Sequence, residues 1–223
     1  MAQAGIHAMV ASAVRKWVPA REWLMLGVVL GNLFPDMDNI AVAVATVMKL
    51  PTTGLHRTFT HSLFTVTAAL AVFYLVAAVT KKPRWNNFGI GFGVGILMHI
   101  LLDLLIWFNG VEILWPLHSW VNLWQGFVVP PWLDKILMTT EFLFFGLFFL
   151  LLTSLSQKHR TDSEYSGTLR IWMIVQFALF VVFTALAFIM SKGFLTIFGA
   201  VYLLSLFLAF GVTLRMKKTV ESV

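Results

Sequence analysis

Apolar residues run along the chain in six blocks, separated by short clusters of basic and turn-forming residues. Phe142 to Gln157, Ile171 to Ser191 and Phe194 to Leu214 contain no charged residue, and the last two have 21 residues each. About 20 apolar residues in a helix cross the roughly 30 Å hydrocarbon core of a bilayer. Glu22 to Leu50, Thr60 to Thr80 and Asn86 to Phe108 are also long enough to span, and these three carry ionisable residues. The pattern predicts an all-α polytopic transmembrane bundle of six spans, with a shorter N-terminal helix ahead of them.

Composition agrees with the pattern. Of 223 residues, 59% are hydrophobic and 12% charged, and the mean hydropathy is +0.86. Soluble domains are about 25% charged. The formal net charge of +6 sits largely in clusters beside apolar blocks, which points to topology signals and membrane-lipid contacts rather than nucleic acid. With no cysteine, disulfides, thiolate metal sites and cysteine nucleophiles are excluded, so a metal must use nitrogen and oxygen ligands. The first apolar stretch, Ala4 to Val14, lacks the basic lead of a cleavable signal peptide.

The basic clusters predict an orientation. Arg15, Lys16 and Arg21 precede the first span, and Lys81, Lys82 and Arg84 follow the second. Lys158, Arg160 and Arg170 lie between the fourth and fifth, and Arg215, Lys217 and Lys218 follow the sixth. The positive-inside rule then puts both termini in the cytoplasm. The loop Asn109 to Asp134, rich in Trp and Pro, reads as an interfacial cap on the outer side. At 1.5 Å of rise per residue, Asp36 and His99 each lie roughly 22 Å from the inner edge, with Asp103 one turn further out. His56 and His61 fall at the outer entrance to the second span.

Three segments therefore bring His and Asp residues to one level. Ionisable groups at that depth are expensive, and by default they are functional. His99 and Asp103 are spaced i, i+4, on one helix face. Asp36 and Asp38 diverge on an ideal helix, and a break at Pro35 can turn both toward one pocket. Thr60 is the expected N-cap of the second span. The mixed His and carboxylate set suits zinc, with manganese or iron as alternatives. Its size allows more than one ion, or ligands accompanied by orienting groups or a base. Arg57 is suited to a phosphate or to transition-state charge, or to interfacial anchoring. Glu141, entering the fourth span, is a base, a ligand or a hydrogen-bond acceptor for a neighbouring helix. Asn32 can bond a ligand from the preceding turn. Gly89, Gly91, Gly93 and Gly95 form two overlapping GxxxG patterns for close helix packing. His118 reads as a loop residue.

The ordered motifs GIHAMV, LFPDMD, HRTFTHS, GILMHILLD and GVEILWP resemble the bacterial YdjM-type inner-membrane proteins, described as metal-dependent hydrolases of the membrane. The motifs cover roughly residues 5–116. The resemblance implies a metal site of His7, Asp36, Asp38, His56, His61, His99 and Asp103. More distantly, His-xxx-Asp on a helix is similar to zinc-dependent phospholipase C and the P1-type nucleases, which implies phosphoester hydrolysis.

The expected function is metal-dependent hydrolysis at the outer leaflet, on a phosphoester of a lipid or lipid-linked substrate, using one to three divalent ions, zinc first. Asp36, His61, His99 and Asp103 are the first-choice ligands. Asp38 or His56 is a further ligand or the base, and Arg57 and Glu141 are further catalytic candidates. The alternative is a transition-metal or proton transporter using the same cluster. Residues 1–137 are expected to form the metal-site region, and 138–223 a three-helix membrane region.

Overall fold

Helix boundaries fall where the sequence supplies breaks. The structure is a computed structural model and describes residues 4–222. Among the described residues there are nine α-helices: α1 (Ala4–Ala13), α2 (Leu24–Leu33), α3 (Asn39–Val47), α4 (Leu63–Thr80), α5 (Arg84–Ile106), α6 (Pro131–His159), α7 (Ser166–Ile189), α8 (Phe194–Arg215) and α9 (Lys217–Glu221). Six stretches of the described residues are long and apolar enough to cross a membrane, beginning with Leu24–Val47, which runs through α2 and α3. Pro35 starts a 3-10 turn over Pro35–Asp38 within this span, so the expected break is present. α4 ends at Lys81 in the left-handed conformation (φ 55°), and Pro83 then leads directly into α5. α6 opens on Pro131, a position that tolerates the missing N–H.

The described residues divide into two compact units, one of residues 4–12 with 129–222 and the other of 13–128. α6 is one continuous helix of 29 residues. α1 joins the C-terminal helices because Gly5, lacking a side chain, lies against the backbone of Glu141 and Phe145. The Gly5 N–H donates to Glu141 Oε1 at 2.8 Å.

In the first unit, Phe142, Phe145, Phe148 and Phe149 of α6 are fully buried. Phe142 meets Phe183 of α7 and Phe198 of α8, with ring centroids 5.1 and 5.3 Å apart. Polar contacts fix helix neighbours: Thr139 with Thr184 at 2.8 Å, and Gln176 Nε2 donating to Ser205 Oγ at 3.0 Å. The Asp162 carboxylate accepts the Thr219 N–H at 2.9 Å, which ties α9 to the α6–α7 connection.

In the second unit, α2 and α5 run side by side in parallel with their backbones almost touching. A side chain at Gly91 would strike the Leu24 carbonyl, and one at Gly95 the Val28 carbonyl; Gly27 and Gly31 stand in the same relation to the carbonyls of Phe88 and Phe92. Two GxxxG faces thus interlock. Gly89 and Gly93 face Phe73, Leu70 and Val66 of α4 instead. Beyond α5, β1 (Val111–Glu112) pairs antiparallel with β2 (Trp120–Val121). This small hairpin holds the segment ahead of α4: Glu112 N–H donates to the Arg57 carbonyl at 2.9 Å, and Leu63 N–H to the Ile113 carbonyl at 2.8 Å.

Candidate metal centre

The parallel register of α2 and α5 decides what His99 can do. One turn beyond the Gly95 contact, His99 Nδ1 lies 2.7 Å from the backbone oxygen of Asn32. A carbonyl oxygen only accepts, so Nδ1 is the protonated nitrogen. His99 Nε2 then carries a lone pair and points away from α2. The Asn32 backbone thus orients the ring of His99.

Asp38 fixes the other two histidines in the same way. His56 Nδ1 is 2.7 Å from Asp38 Oδ1, and His61 Nδ1 is 3.3 Å from Asp38 Oδ2. The Thr60 hydroxyl donates to Asp38 Oδ2 at 3.0 Å, which leaves its oxygen free to accept from His61 Nδ1 at 3.0 Å. Thr60 is therefore not the N-cap of α4. Ser62 is, its Oγ accepting the Thr65 N–H at 3.2 Å, because the 3-10 turn Phe59–His61 occupies the residues before it.

His61 Nε2 faces His99 Nε2 at 3.1 Å. Asp36 Oδ1 is 3.9 Å from His99 Nε2, and Asp103 Oδ2 is 3.5 Å from His61 Nε2 and 3.8 Å from His99 Nε2. Within the second unit two sets of side chains are close enough to hold an ion: Asp36, His61 and His99, and Asp38, His56 and His61, the ligand atoms of each set lying within 4.8 Å of one another. His61 belongs to both.

The donor set fits a divalent cation. Two nitrogens bound to one tetrahedral zinc at 2.0–2.1 Å lie about 3.3 Å apart, close to the separation found. With both Nδ1 atoms protonated, two lone pairs meet in a buried space, and a cation between them removes the repulsion. His61 and His99 are 0% exposed and Asp36 1%, so the site is dry enough for such charges to act strongly. His56 is the most open member, its side chain 19% exposed. Burial pushes His56 down to about 4, outweighing the Asp38 carboxylate, which favours the cation. It is therefore neutral at neutral pH.

Arg57 is buried beside the site. Its Nε is 3.4 Å from Asp103 Oδ2, and Nη1 donates to the Asn109 carbonyl at 3.2 Å. Its backbone is left-handed, φ 63°, a conformation that costs a bulky residue on the order of 1–3 kcal/mol. Two bonds hold it there: the Arg57 N–H donates to Asp38 Oδ2 at 3.1 Å, and its carbonyl accepts from Glu112.

Residues 2–216 match the family described as YdjM inner membrane protein. The chain belongs to that family. No curated protein and no solved structure matches it. The family match runs through the last three spans, well beyond the motif-bearing residues 5–116. Of the residues singled out from its motifs, Asp36, Asp38, His56, His61, His99, Asp103 and Arg57 converge within the second unit. His7 and Glu141 belong to the first unit, where both are fully buried, and His7's assignment to the centre rests on the resemblance. His118 is a loop residue as expected, exposed and 3.0 Å from Glu112. The sequence reading passed over Gly27 and Gly31, although GVVLG carries the same spacing as the glycines of α5. It also passed over the Asn32 carbonyl, which no side-chain motif can reveal.

Proposed function

We propose that this YdjM-family protein is a membrane-embedded metal-dependent hydrolase acting on a phosphoester of a lipid or lipid-linked substrate at the outer leaflet. The observation that supports it most is the pair of Nε2 lone pairs on His61 and His99, 3.1 Å apart, with the Asp36 and Asp103 carboxylates beside them. Asp36, His61, His99 and Asp103 would hold the ion. Zinc suits the mixed set best, ahead of manganese and iron. A divalent ion held there supplies Lewis acidity toward a phosphoryl oxygen and lowers the pKa of a water it binds.

The remaining groups have work that follows from their positions. His56 Nε2 is buried and makes no hydrogen bond, so it is the acceptor available for a proton from an attacking water. Arg57 neutralises Asp103 and presents the kind of cation that pairs with phosphate. Leu117, Trp120, Trp124 and Phe127 of the loop after α5 are exposed, as side chains resting in a headgroup layer would be. The basic clusters support cytoplasmic termini and an outward-facing site.

The test uses purified full-length protein in nanodiscs. Elemental analysis is expected to find a divalent metal in wild type and none in His99→Ala. Loaded wild type is expected to cleave a phospholipid or a polyprenyl phosphate. Intact metal with no cleavage of either class sinks the hydrolase. Metal uptake into proteoliposomes, lost in His99→Ala, replaces it with transport.

A further inference from the structure

We propose that Asp38 is not a metal ligand but a positioning residue, the carboxylate that fixes the tautomers of His56 and His61. The resemblance groups Asp36 and Asp38 together as ligands, and the geometry separates them. The inference rests on the metal centre proposed above, not on the reaction.

The argument is one of capacity. A carboxylate has about four lone-pair positions. Asp38 Oδ1 takes the His56 Nδ1–H at 2.7 Å and the Asn39 Nδ2–H at 3.3 Å. Asp38 Oδ2 takes the Arg57 N–H at 3.1 Å and the Thr60 hydroxyl at 3.0 Å, with His61 Nδ1 at 3.3 Å. The His61 Nδ1–H is shared with the Thr60 oxygen, and the other four donors by themselves fill the lone pairs of the two oxygens. Three of them lie between residues 56 and 60, so the loop ahead of α4 is folded around this carboxylate. The left-handed backbone of Arg57 turns one of those donors toward Asp38.

Asp36 addresses a different histidine, and by the other nitrogen. Its Oδ1 is 3.9 Å from His99 Nε2, on the lone-pair side, whereas every Asp38 contact to a histidine is through Nδ1. The cause is local. Pro35–Asp38 is a 3-10 turn with three residues per turn, so positions i and i+2 point about 120° apart and do not share a direction. The PDMD motif thus divides its acids: the first addresses the ion, the second orients the ligand His61 and the proton acceptor His56. Such carboxylate–histidine pairs set ring orientation and raise ligand basicity. Because one carboxylate serves two rings, loss of Asp38 disturbs both together.

The deciding measurement is ¹⁵N NMR of histidine side chains in the metal-free full-length protein in nanodiscs. Wild-type His56 and His61 are expected in the Nδ1–H form. Protonation at Nε2 in either ring overturns the proposal without any variant. In Asp38→Asn an amide N–H can face Nδ1, and at least one of the two rings is expected to move to Nε2–H. Asp36→Asn is expected to leave both unchanged. On zinc titration, Asp38→Asn is expected to reach wild-type stoichiometry with roughly 10–100-fold weaker affinity. X-ray absorption at saturation is expected to show an unchanged ligand count. Loss of one zinc equivalent, or of one oxygen ligand, makes Asp38 a ligand and overturns the proposal. None of these readouts needs turnover, so a failed hydrolase assay leaves them decisive.

Discussion

Replacing Gly95 by alanine tests whether helix packing, rather than the ligands alone, builds the centre. The new methyl would lie 2.6 Å from the Asn32 backbone nitrogen, where ordinary contact begins at 3.4 Å, and nearer still to the Val28 carbonyl oxygen. Both obstacles are backbone, so neither can rotate away. α2 and α5 must part by at least about 0.8 Å, the difference between those two distances. The same opening takes the 2.7 Å bond from His99 Nδ1 to the Asn32 carbonyl to about 3.5 Å, the limit of a hydrogen bond. Overpacking of this kind costs about 1–3 kcal/mol, and the lost bond about 0.5–1.5 kcal/mol more. Freed from its acceptor, His99 is no longer held with Nε2 toward His61, and metal affinity should fall roughly 10–100-fold. The assay is zinc titration of Gly95→Ala in nanodiscs beside two controls. At Gly93 a methyl meets the flexible end of Leu70 at 3.2 Å, and at Gly199 it meets nothing within 4 Å. Wild-type affinity in Gly95→Ala, or an equal loss in Gly93→Ala, refutes the reasoning.

Asp103→Asn leaves the Arg57 guanidinium, 3% exposed, beside a neutral partner; unfolding in detergent should become easier by up to about 3–5 kcal/mol, and the double variant Arg57→Met with Asp103→Leu should recover most of that. Glu141→Gln should keep the fold, since the amide oxygen still accepts the Gly5 N–H, whereas Glu141→Ala orphans that buried donor and should cost about 1–3 kcal/mol in thermal unfolding. His56 has its pKa lowered to about 4, so between that value and about 6.5 the unfolded chain binds more protons than the folded one. Stability of the metal-free protein should therefore be full above pH 6.5 and fall as pH drops toward 4, and His56→Gln should flatten that part of the profile in a pH series of thermal melts.

The apolar blocks by themselves determined six spans and a short leading helix, because a bilayer demands about 20 apolar residues per crossing and satisfies backbone polar groups only within a helix. They also set Asp36 and His99 at one depth, since helical rise is fixed at 1.5 Å per residue. The glycines of α5 announced a close helix neighbour, and His118 a loop. Tertiary structure alone decided that the partner glycines are Gly27 and Gly31, because spacing shows that a face is thin but not which face meets it. It decided that Ser62, not Thr60, caps α4, since that choice depends on where the preceding turn ends. It joined α1 to the C-terminal helices, with Gly5 packed against α6 and its N–H donated to Glu141. Residue types in the sequence could name His99 as a ligand. Only the parallel register of α2 and α5 puts a backbone carbonyl against Nδ1 and turns Nε2 toward His61. PDMD looked like a pair of equivalent acids, and the fold sets Asp38 against Nδ1 of His56 and His61 and Asp36 near Nε2 of His99. The chain thus carries the inventory of the site in local patterns, and long-range packing assigns each atom its direction.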